Sequence, residues 1–317
     1  MSLPNPAHTA FVFPGQGSQK VGMGQALATQ YPEAADTFAE ADERLGFALS
    51  QLAWKGPEDE LNDTINTQPA LLVHSVAALR VFRAAHHEFE PAFVAGHSLG
   101  ELSALVAAGA LDFTDALQLV RTRGELMQRA GEQQPGGMAA ILGMDTRAIE
   151  LACVDASING QIVQIANDNC PGQIVISGHS KAVERAIEAA KEFGAKRALP
   201  LAVSIAAHSP LMETIEKDFA DAVKAAPIAN PGIPIVGNVD AAPLHEVGDI
   251  RKDLEDQLTK RVRWTESVQY MAGQGVTHFI ELGSGSVLTG LLKRLDRDLV
   301  GIALGEPEDF EKLETGD

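Results

Sequence analysis

The sequence predicts an α/β fold with a large domain built on a parallel sheet and a smaller domain inserted into it. Short apolar runs alternate with longer segments of helical spacing, which is typical of strands joined by crossover helices. One apolar run, at residues 93–96 (FVAG), leads directly into a glycine-flanked serine and a helix-like pattern. Between residues 134 and 202 the strands and helices follow a different order, which predicts the inserted domain.

The composition is that of a globular protein with a large core. The chain has 317 residues, of which 45% are hydrophobic, and a net charge of -18. This charge disfavours binding to nucleic acid or to an anionic membrane. The N-terminus has no signal-peptide pattern and no run is long enough to span a bilayer. Cys153 and Cys170 lack metal or redox spacing, so we expect reduced thiols in a cytoplasmic protein without a metal site.

The first elements are a buried strand and a glycine-rich loop. Residues 9–13 (TAFVF) predict the strand, and residues 14–19 (PGQGSQ) form the loop. The loop matches neither the dinucleotide nor the P-loop motif, so it predicts a backbone N–H that approaches a ligand rather than a nucleotide site. Further along, Thr67 and Pro69 have the positions of an N-cap and a first helical turn, which predicts a helix from about residue 67.

The next motif is G-x-S-x-G at residues 96–100 (GHSLG), between a strand and a helix. A sharp strand-to-helix turn brings backbones close together, so residues without Cβ are needed there. Such a turn lifts Ser98 out of the sheet edge, and the free N–H groups of the following helix point at charge that develops nearby. The alternative is a serine that merely caps a helix. The strand–turn–helix context favours a nucleophile.

The middle of the chain predicts a ferredoxin-like unit, because its elements follow the order β-α-β-β-α-β. A turn at residues 167–172 (NDNCPG) is expected between the two central strands. We therefore place the small domain at 134–202 and the large domain at 1–133 and 203–317. Within the last part of the large domain, residues 277–283 predict a strand and residues 287–294 a helix. The acidic tail from Gly305 is expected to be loose.

A nucleophilic serine needs a base, and the chain has nine histidines. His208 follows small residues that leave room for a substrate and stands just before a predicted helix start at Ser209 and Pro210. A rival triad in hydrolase chain order is Ser98, Asp240 and His278. His278 lies inside an apolar run, where a core or edge-strand histidine is more common. The residue types leave both hypotheses open.

Several motifs together resemble one known family, the malonyl-CoA:acyl-carrier-protein transacylases. They follow the family's order and span nearly the whole chain. The motifs are 13–19 (FPGQGSQ), 96–101 (GHSLGE), 118–124 (QLVRTRG), 167–173 (NDNCPGQ), His208, 237–240 (GNVD) and 281–285 (ELGSG).

The resemblance implies a fold and a catalytic centre. The fold is an α/β-hydrolase-like core with a parallel sheet plus an inserted ferredoxin-like (βαββαβ) small domain. Ser98 would be the acylated nucleophile and His208 its base, without a carboxylate third member. An oxygen in the segment at Gln257 would orient the histidine. The backbone N–H groups of Gln16 and Leu99 would form the oxyanion hole.

The resemblance also implies a substrate and a partner. Arg123 would hold the free carboxylate of a malonyl group, with Gln257, Asn167 and Asn169 as further substrate-binding residues in the cleft between the domains. The substrate would be malonyl-CoA and the acceptor an acyl carrier protein, with no tightly bound cofactor. The reaction would serve fatty acid or polyketide synthesis.

Alternatives remain at this point. Residues 205–208 (IAAH) match neither of the four-residue signatures by which polyketide acyltransferases mark malonyl or methylmalonyl choice. A discrete polyketide-type acyltransferase with another extender unit therefore stays open. An acyl hydrolase and a carrier-protein-binding module with a decayed site are the other hypotheses.

Overall fold

Two β-sheets organise the chain in the computed structural model, which describes residues 3–201, 203 and 205–315. The strands of these residues are β1 (Thr9–Phe13), β2 (Phe93–Gly96), β3 (Gly136–Leu142), β4 (Val163–Cys170), β5 (Gln173–His179), β6 (Arg197–Pro200), β7 (Ile235–Val236), β8 (Pro243–Leu244), β9 (His278–Leu282) and β10 (Val300–Leu304).

Helices cover these sheets and connect most of the strands. In chain order they are α1 (Gln25–Gln30), α2 (Pro32–Leu45), α3 (Leu49–Lys55), α4 (Glu58–Asn62), α5 (Thr64–Ala85), α6 (Gly100–Ala107), α7 (Phe113–Gln133), α8 (Thr146–Ala156), α9 (Ser180–Glu192), α10 (Glu213–Ala225), α11 (Val247–Gln257), α12 (Trp264–Gly273), α13 (Val287–Leu295) and α14 (Pro307–Thr315). None of the helices in the described ranges has the length and apolarity to cross a membrane.

The larger sheet has the order β10-β9-β1-β2-β7-β8. The strands from β10 to β7 are parallel, and β8 runs antiparallel to β7. Every residue of β1 is buried, as expected for a central parallel strand with helices on both faces. The loops that follow β1 and β2 are therefore neighbours, and the N–H of His97 donates to the Phe13 carbonyl at 3.0 Å. Ligands bind at this edge of open α/β sheets.

The smaller sheet has the order β4-β5-β3-β6, and all its neighbouring strands are antiparallel. The helices α8 and α9 pack their apolar faces on it, with Ile149, Ala182 and Ile187 in a separate core cluster. The order β3-α8-β4-β5-α9-β6 is that of the predicted βαββαβ unit. The predicted α/β fold class, a parallel core with a small second sheet, is thus confirmed. The domain boundaries stay a prediction, and the one at residue 202 lies outside the described residues.

The turn predicted at residues 167–172 is wrong. Strand β4 continues to Cys170, and only Pro171 and Gly172 separate it from β5. The reason is pairing with a remote segment, since the N–H of Asp168 donates to the Val262 carbonyl at 2.9 Å and the N–H of Val262 donates to Ala166 at 2.8 Å. These backbone hydrogen bonds hold turn-forming residue types in an extended strand.

Two other expectations are also wrong, namely the helix start at Thr67 and the loose tail. Helix α5 begins at Thr64, with Asp63 at the N-cap, and Pro69 lies inside the helix. Thr67 is buried, and its hydroxyl donates to the Leu61 carbonyl rather than capping a helix. The described part of the tail, up to residue 315, is not loose, because residues 307–315 form α14 and Phe310 is buried with its ring 5.8 Å from that of Tyr31.

Gly100 provides a test of the close packing between β1 and the turn that carries Ser98. A Cβ at Gly100 would lie 2.3 Å from the carbonyl oxygen of Phe13, so Gly100→Ala should lower the free energy of unfolding by about 1–3 kcal/mol. Gly290 of α13 is the matched control, because a Cβ there meets open space. Gly290→Ala should raise the free energy of unfolding by about 0.5–1 kcal/mol. Urea denaturation measures both, and a neutral Gly100→Ala would contradict the contact.

Candidate active site

Ser98 occupies a strained position between β2 and α6. Its φ is 54°, a left-handed conformation that is uncommon for residues other than glycine. The turn is tight, because a Cβ at Gly96 would lie 2.0 Å from the carbonyl carbon of Gly100. The side chain of Asn238 holds the turn by accepting from the Ser98 N–H at 2.8 Å. Strand, turn and helix together project the hydroxyl into the cleft.

His208 is the histidine that contacts this hydroxyl. Its Nε2 lies 2.8 Å from Ser98 Oγ, and its Nδ1 lies 2.7 Å from the backbone carbonyl oxygen of Gln257. A carbonyl oxygen only accepts hydrogen bonds, so Nδ1 carries the proton of the neutral ring and Nε2 is left to accept from Ser98. The backbone of Gln257 thereby fixes the tautomer that a general base requires.

The imidazole of His208 is also held in its neutral form. The residue is 3% exposed. Burial, and secondarily the cation of Arg123, lower the pKa of His208 to about 3. At neutral pH the ring therefore carries a free electron pair on Nε2 and is ready to take a proton.

Arg123 brings a buried positive charge to the same hydroxyl. Its Nη2 donates to Ser98 Oγ at 3.1 Å and to Gln257 Oε1 at 2.9 Å, and its Nη1 donates to Gln68 Oε1 at 2.7 Å. Burial lowers the pKa of Arg123 to about 10, so the side chain stays cationic at neutral pH. No carboxylate oxygen of the described residues lies within 4.0 Å of an Arg123 guanidinium nitrogen. A buried cation whose hydrogen-bond acceptors are neutral amide and hydroxyl oxygens suits an incoming anion.

The cleft in front of Ser98 has a volume of about 440 Å³. One wall comes from the loops after β1 and β2, and the other from β4 and β5 of the small sheet. Half-exposed apolar side chains, Leu201, Val203 and Val287, border it. Among the described residues no three His, Cys, Asp or Glu side chains are grouped so as to hold a metal ion.

Gln16 and Leu99, the predicted oxyanion-hole residues, both line this cleft. Leu99 precedes α6 as its N-cap, where backbone N–H groups lack helical partners. The Gln16 loop packs closely against the turn that carries Ser98, because a Cβ at Gly15 would lie 2.5 Å from the His97 carbonyl oxygen. Within the described ranges neither N–H donates to a protein acceptor. Their role as an oxyanion hole stays a prediction.

Asn167 and Asn169 stand on β4 and line the cleft, as does His97. The Asn169 Oδ1 lies 2.8 Å from His97 Nε2, and the His97 ring packs edge-on against Trp264 at 5.7 Å. Burial lowers the pKa of His97. These contacts support a structural His97, and the substrate-binding role of the two asparagines stays a prediction.

The rival triad is not assembled. His278 is the first residue of β9 and pairs with Thr9, so it lies at the amino end of the sheet. Four residues of strand, about 13 Å, separate it from the edge that carries Ser98. Asp240 is exposed and lies 3.9 Å from Lys252. The structure brings neither residue to the nucleophile.

Sequence reasoning gave no role to three residues of this site, Gln68, Asn238 and Glu101, although Asn238 and Glu101 lie within motifs that carry the family resemblance. Each is buried. Gln68 accepts a hydrogen bond from Arg123, Asn238 accepts one from the Ser98 N–H, and Glu101 accepts one from Gln257. The signal for Gln68 is a polar side chain within the apolar run of α5. For Asn238 and Glu101 the local pattern holds no comparable signal, because their partners are 140 and 156 residues away.

Comparison with known proteins assigns the family. The family model described as "Acyl transferase domain" matches residues 10–300. The chain belongs to the acyl transferase family. The resemblance inferred from its motifs is confirmed.

Individual relatives of this acyl transferase are similar to it in sequence or structure over nearly their whole length. The protein of Bacillus subtilis (strain 168) named "Malonyl CoA-acyl carrier protein transacylase" is 49% identical over 302 residues, which are 95% of each chain. An acyl carrier protein S-malonyltransferase from Vibrio cholerae superposes with a TM-score of 0.93 at 47% identity, covering 97% of this chain and 100% of that one. A malonyl-transacylase solved with a type II PKS acyl-carrier protein superposes at 0.94 with 45% identity, covering 98% and 100%.

The pKa of His208 gives a pH prediction that does not depend on the substrate. Because the lowered pKa keeps His208 neutral, the rate at which a sulfonyl fluoride modifies Ser98 should stay flat from pH 8 down to pH 5. Mass spectrometry of the modified protein measures that rate. His208→Ala should slow it by about 10²–10⁴-fold, while His278→Ala should leave it unchanged. A fall with an apparent pKa near the usual 6.5 would contradict a buried neutral base.

Proposed function

We propose that this acyl transferase moves a malonyl group from malonyl-CoA to the phosphopantetheine thiol of an acyl carrier protein, through an acyl-enzyme on Ser98. The observation that carries the proposal is the Arg123 cation, which lies 3.1 Å from the Ser98 hydroxyl and has no carboxylate partner among the described residues. Malonyl-CoA differs from acetyl-CoA by one carboxylate, the group that such a cation binds. The names of the relatives support the same substrate and acceptor.

The first half-reaction loads the enzyme. Ser98 Oγ attacks the thioester carbonyl of malonyl-CoA while His208 Nε2 takes the hydroxyl proton. The oxyanion that forms is stabilised by the N–H groups of Gln16 and Leu99, and losing one such donor typically costs about 2.7–4 kcal/mol. Collapse breaks the carbon–sulfur bond, and the coenzyme A thiolate leaves with the proton from His208. The product is malonyl-Ser98.

The second half-reaction repeats these steps with a different thiol. The phosphopantetheine thiol of the carrier protein gives its proton to His208 and attacks the malonyl ester. The tetrahedral intermediate collapses, the new thioester forms, and Ser98 leaves and recovers the proton. One base therefore serves both halves, which suits a histidine kept neutral by burial.

Arg123 selects the acyl group in this proposal. Gln68 and Gln257 hold its guanidinium, so its position is set before the substrate arrives. Two parallel N–H donors of a guanidinium match the two oxygens of a carboxylate, an arrangement that lysine does not provide. Asn167 and Asn169 border the remaining space for the acyl group.

The wider setting follows from the same site. We propose that the cleft lies between a small domain at 134–202 and a large domain formed by the rest, that malonyl-CoA is a substrate rather than a resident cofactor, and that the protein works in the cytoplasm. The two cysteines, Cys153 and Cys170, are free, which supports a reducing compartment. Fatty acid and polyketide synthesis both use this transfer, and residues 205–208 (IAAH) leave the extender unit open.

Ser98→Ala tests the acyl-enzyme. It should abolish the malonyl adduct seen by intact-mass spectrometry and lower transfer to the carrier protein by roughly 10³-fold or more. Ser103→Ala is the matched control, because Ser103 lies in α6, the helix that follows Ser98, and its buried hydroxyl has no partner in the described structure. That variant should acylate normally. A malonyl adduct that persists in Ser98→Ala would contradict the proposal, and release of free malonate as fast as transfer would favour a hydrolase.

Arg123→Ala tests the selection of malonyl groups. Malonyl transfer should lose about 2–5 kcal/mol of transition-state stabilisation, the usual cost of removing one member of a buried charge pair. Acetyl transfer should survive or improve, because the unpaired cation is gone. Arg123→Lys should recover only part of the malonyl rate. Arg129→Ala, in the exposed part of the same helix, should change neither rate. Equal losses of malonyl and acetyl transfer in Arg123→Ala would make the residue structural.

A further inference from the structure

Glu101 is a fully buried acidic residue in the first turn of α6 for which the proposed reaction has no step. Its Oε2 accepts hydrogen bonds from three donors. They are the backbone N–H of Asn238 at 3.1 Å, the side-chain amide of Asn238, and Gln257 Nε2 at 3.2 Å. One carboxyl oxygen therefore contacts two amide side chains.

Those two amides hold the nucleophile and the cation. Because Asn238 turns its NH₂ toward Glu101 and the Gly96 carbonyl, its Oδ1 faces the Ser98 N–H at 2.8 Å. Because Gln257 turns its NH₂ toward Glu101 and the Ser98 carbonyl, its Oε1 faces Arg123 Nη2 at 2.9 Å. Rotating either amide by half a turn would set donor against donor.

The second oxygen of Glu101 points to a shared proton. Within the described residues Oε1 has no hydrogen-bond partner. The Asp253 carboxyl is its neighbour, because the backbone N–H of Asn238 lies within hydrogen-bond distance of both Glu101 Oε2, at 3.1 Å, and Asp253 Oδ2, at 3.3 Å. Asp253 accepts in turn from the N–H groups of Val239 and Asn238 at 3.2 and 3.3 Å. Two adjacent buried carboxyls do not both ionise. The arrangement is satisfied when Glu101 carries the proton and donates it to Asp253.

The surrounding charges agree with a neutral Glu101. Burial, and secondarily the charge of Asp253, raise the pKa of Glu101 well above its usual value. The other charged groups that act on the pair are Asp240 and Lys252 on the outer side of Asp253, and Arg123 from α7. An ionised Glu101 would compensate the Arg123 cation from within the protein. A neutral one leaves that cation for the carboxylate of the substrate.

We propose that Glu101 is a positioning residue: as a neutral acid bonded to Asp253, it fixes Asn238 and Gln257 so that Ser98 and Arg123 face the substrate. The inference rests on the proposed malonyl transfer for its kinetic consequence. Its structural consequence, the proton held by the pair, is independent of that function.

Two variants separate positioning from charge. Glu101→Gln offers an NH₂ to Asp253 and a carbonyl oxygen to Asn238 and Gln257, so it should keep the single-turnover rate of malonyl-Ser98 formation within about threefold of wild type, a change too small for displaced catalytic groups. Glu101→Met has a similar volume without an acceptor. It should lower that rate by about 100-fold, the typical cost of displacing catalytic groups by about 1 Å. The decrease should appear in the rate constant measured at saturating malonyl-CoA.

A stability measurement tests the proton without any catalysis. In wild type the folded state binds a proton that the unfolded state releases above the usual glutamate pKa, so the contribution of Glu101 to the free energy of unfolding should fall as pH rises from 5 toward 8. Glu101→Gln cannot lose that proton, so its stability relative to wild type should increase over this range. Urea denaturation of both proteins at each pH measures the difference.

The outcomes distinguish the two proposals. If wild type forms no malonyl adduct, the proposed function fails, and the pH dependence of stability still decides the protonation of Glu101. If wild type is acylated but the Gln and Met variants are equally fast or equally slow, the positioning role is overturned. A stability difference between wild type and Glu101→Gln that does not vary with pH overturns the shared proton.

Discussion

The hydrogen bonds of Gln257 join the base, the cation and the nucleophile of the site, and the rest of the site depends on these hydrogen bonds. Its backbone carbonyl receives the Nδ1 proton of His208, its side-chain oxygen holds Arg123, and its side-chain NH₂ donates to the carbonyl of Ser98. Base, cation and nucleophile come from three distant segments of the chain. The constraint that unites them is burial, since each polar group there must find a partner inside the protein. Arg123 has no ion-pair partner among the described residues.

The parts of this structure that could be predicted from sequence are those with a local cause. The strand before Ser98 is apolar, the glycines beside it are needed where backbones approach within contact distance, and a helix pattern follows. The order of strands and helices in the small sheet also follows from periodicity along the chain. The assignment of Arg123 to the cleft is different in kind, because it came from the family resemblance rather than from any local pattern.

The parts that could not be predicted have partners far away in sequence. The residue types at 167–172 favour a turn, but pairing of Asp168 with Val262 extends β4 through them. Gln68 lies within a helix whose pattern shows only its apolar face, and its contact with Arg123 exists only after α5 packs against α7. Glu101 is adjacent to the serine motif, yet its burial beside Asp253 depends on α11. Tertiary contacts, rather than propensity, decide these positions.

The central claim is that a prepositioned, uncompensated cation beside Ser98 makes this site selective for an acyl group that carries a carboxylate. The most direct measurement is competition on the wild-type protein, with intact-mass spectrometry after brief exposure to equal concentrations of malonyl-CoA and acetyl-CoA. The account predicts that Ser98 carries almost entirely the malonyl group. Comparable amounts of malonyl and acetyl adduct on Ser98 would contradict it.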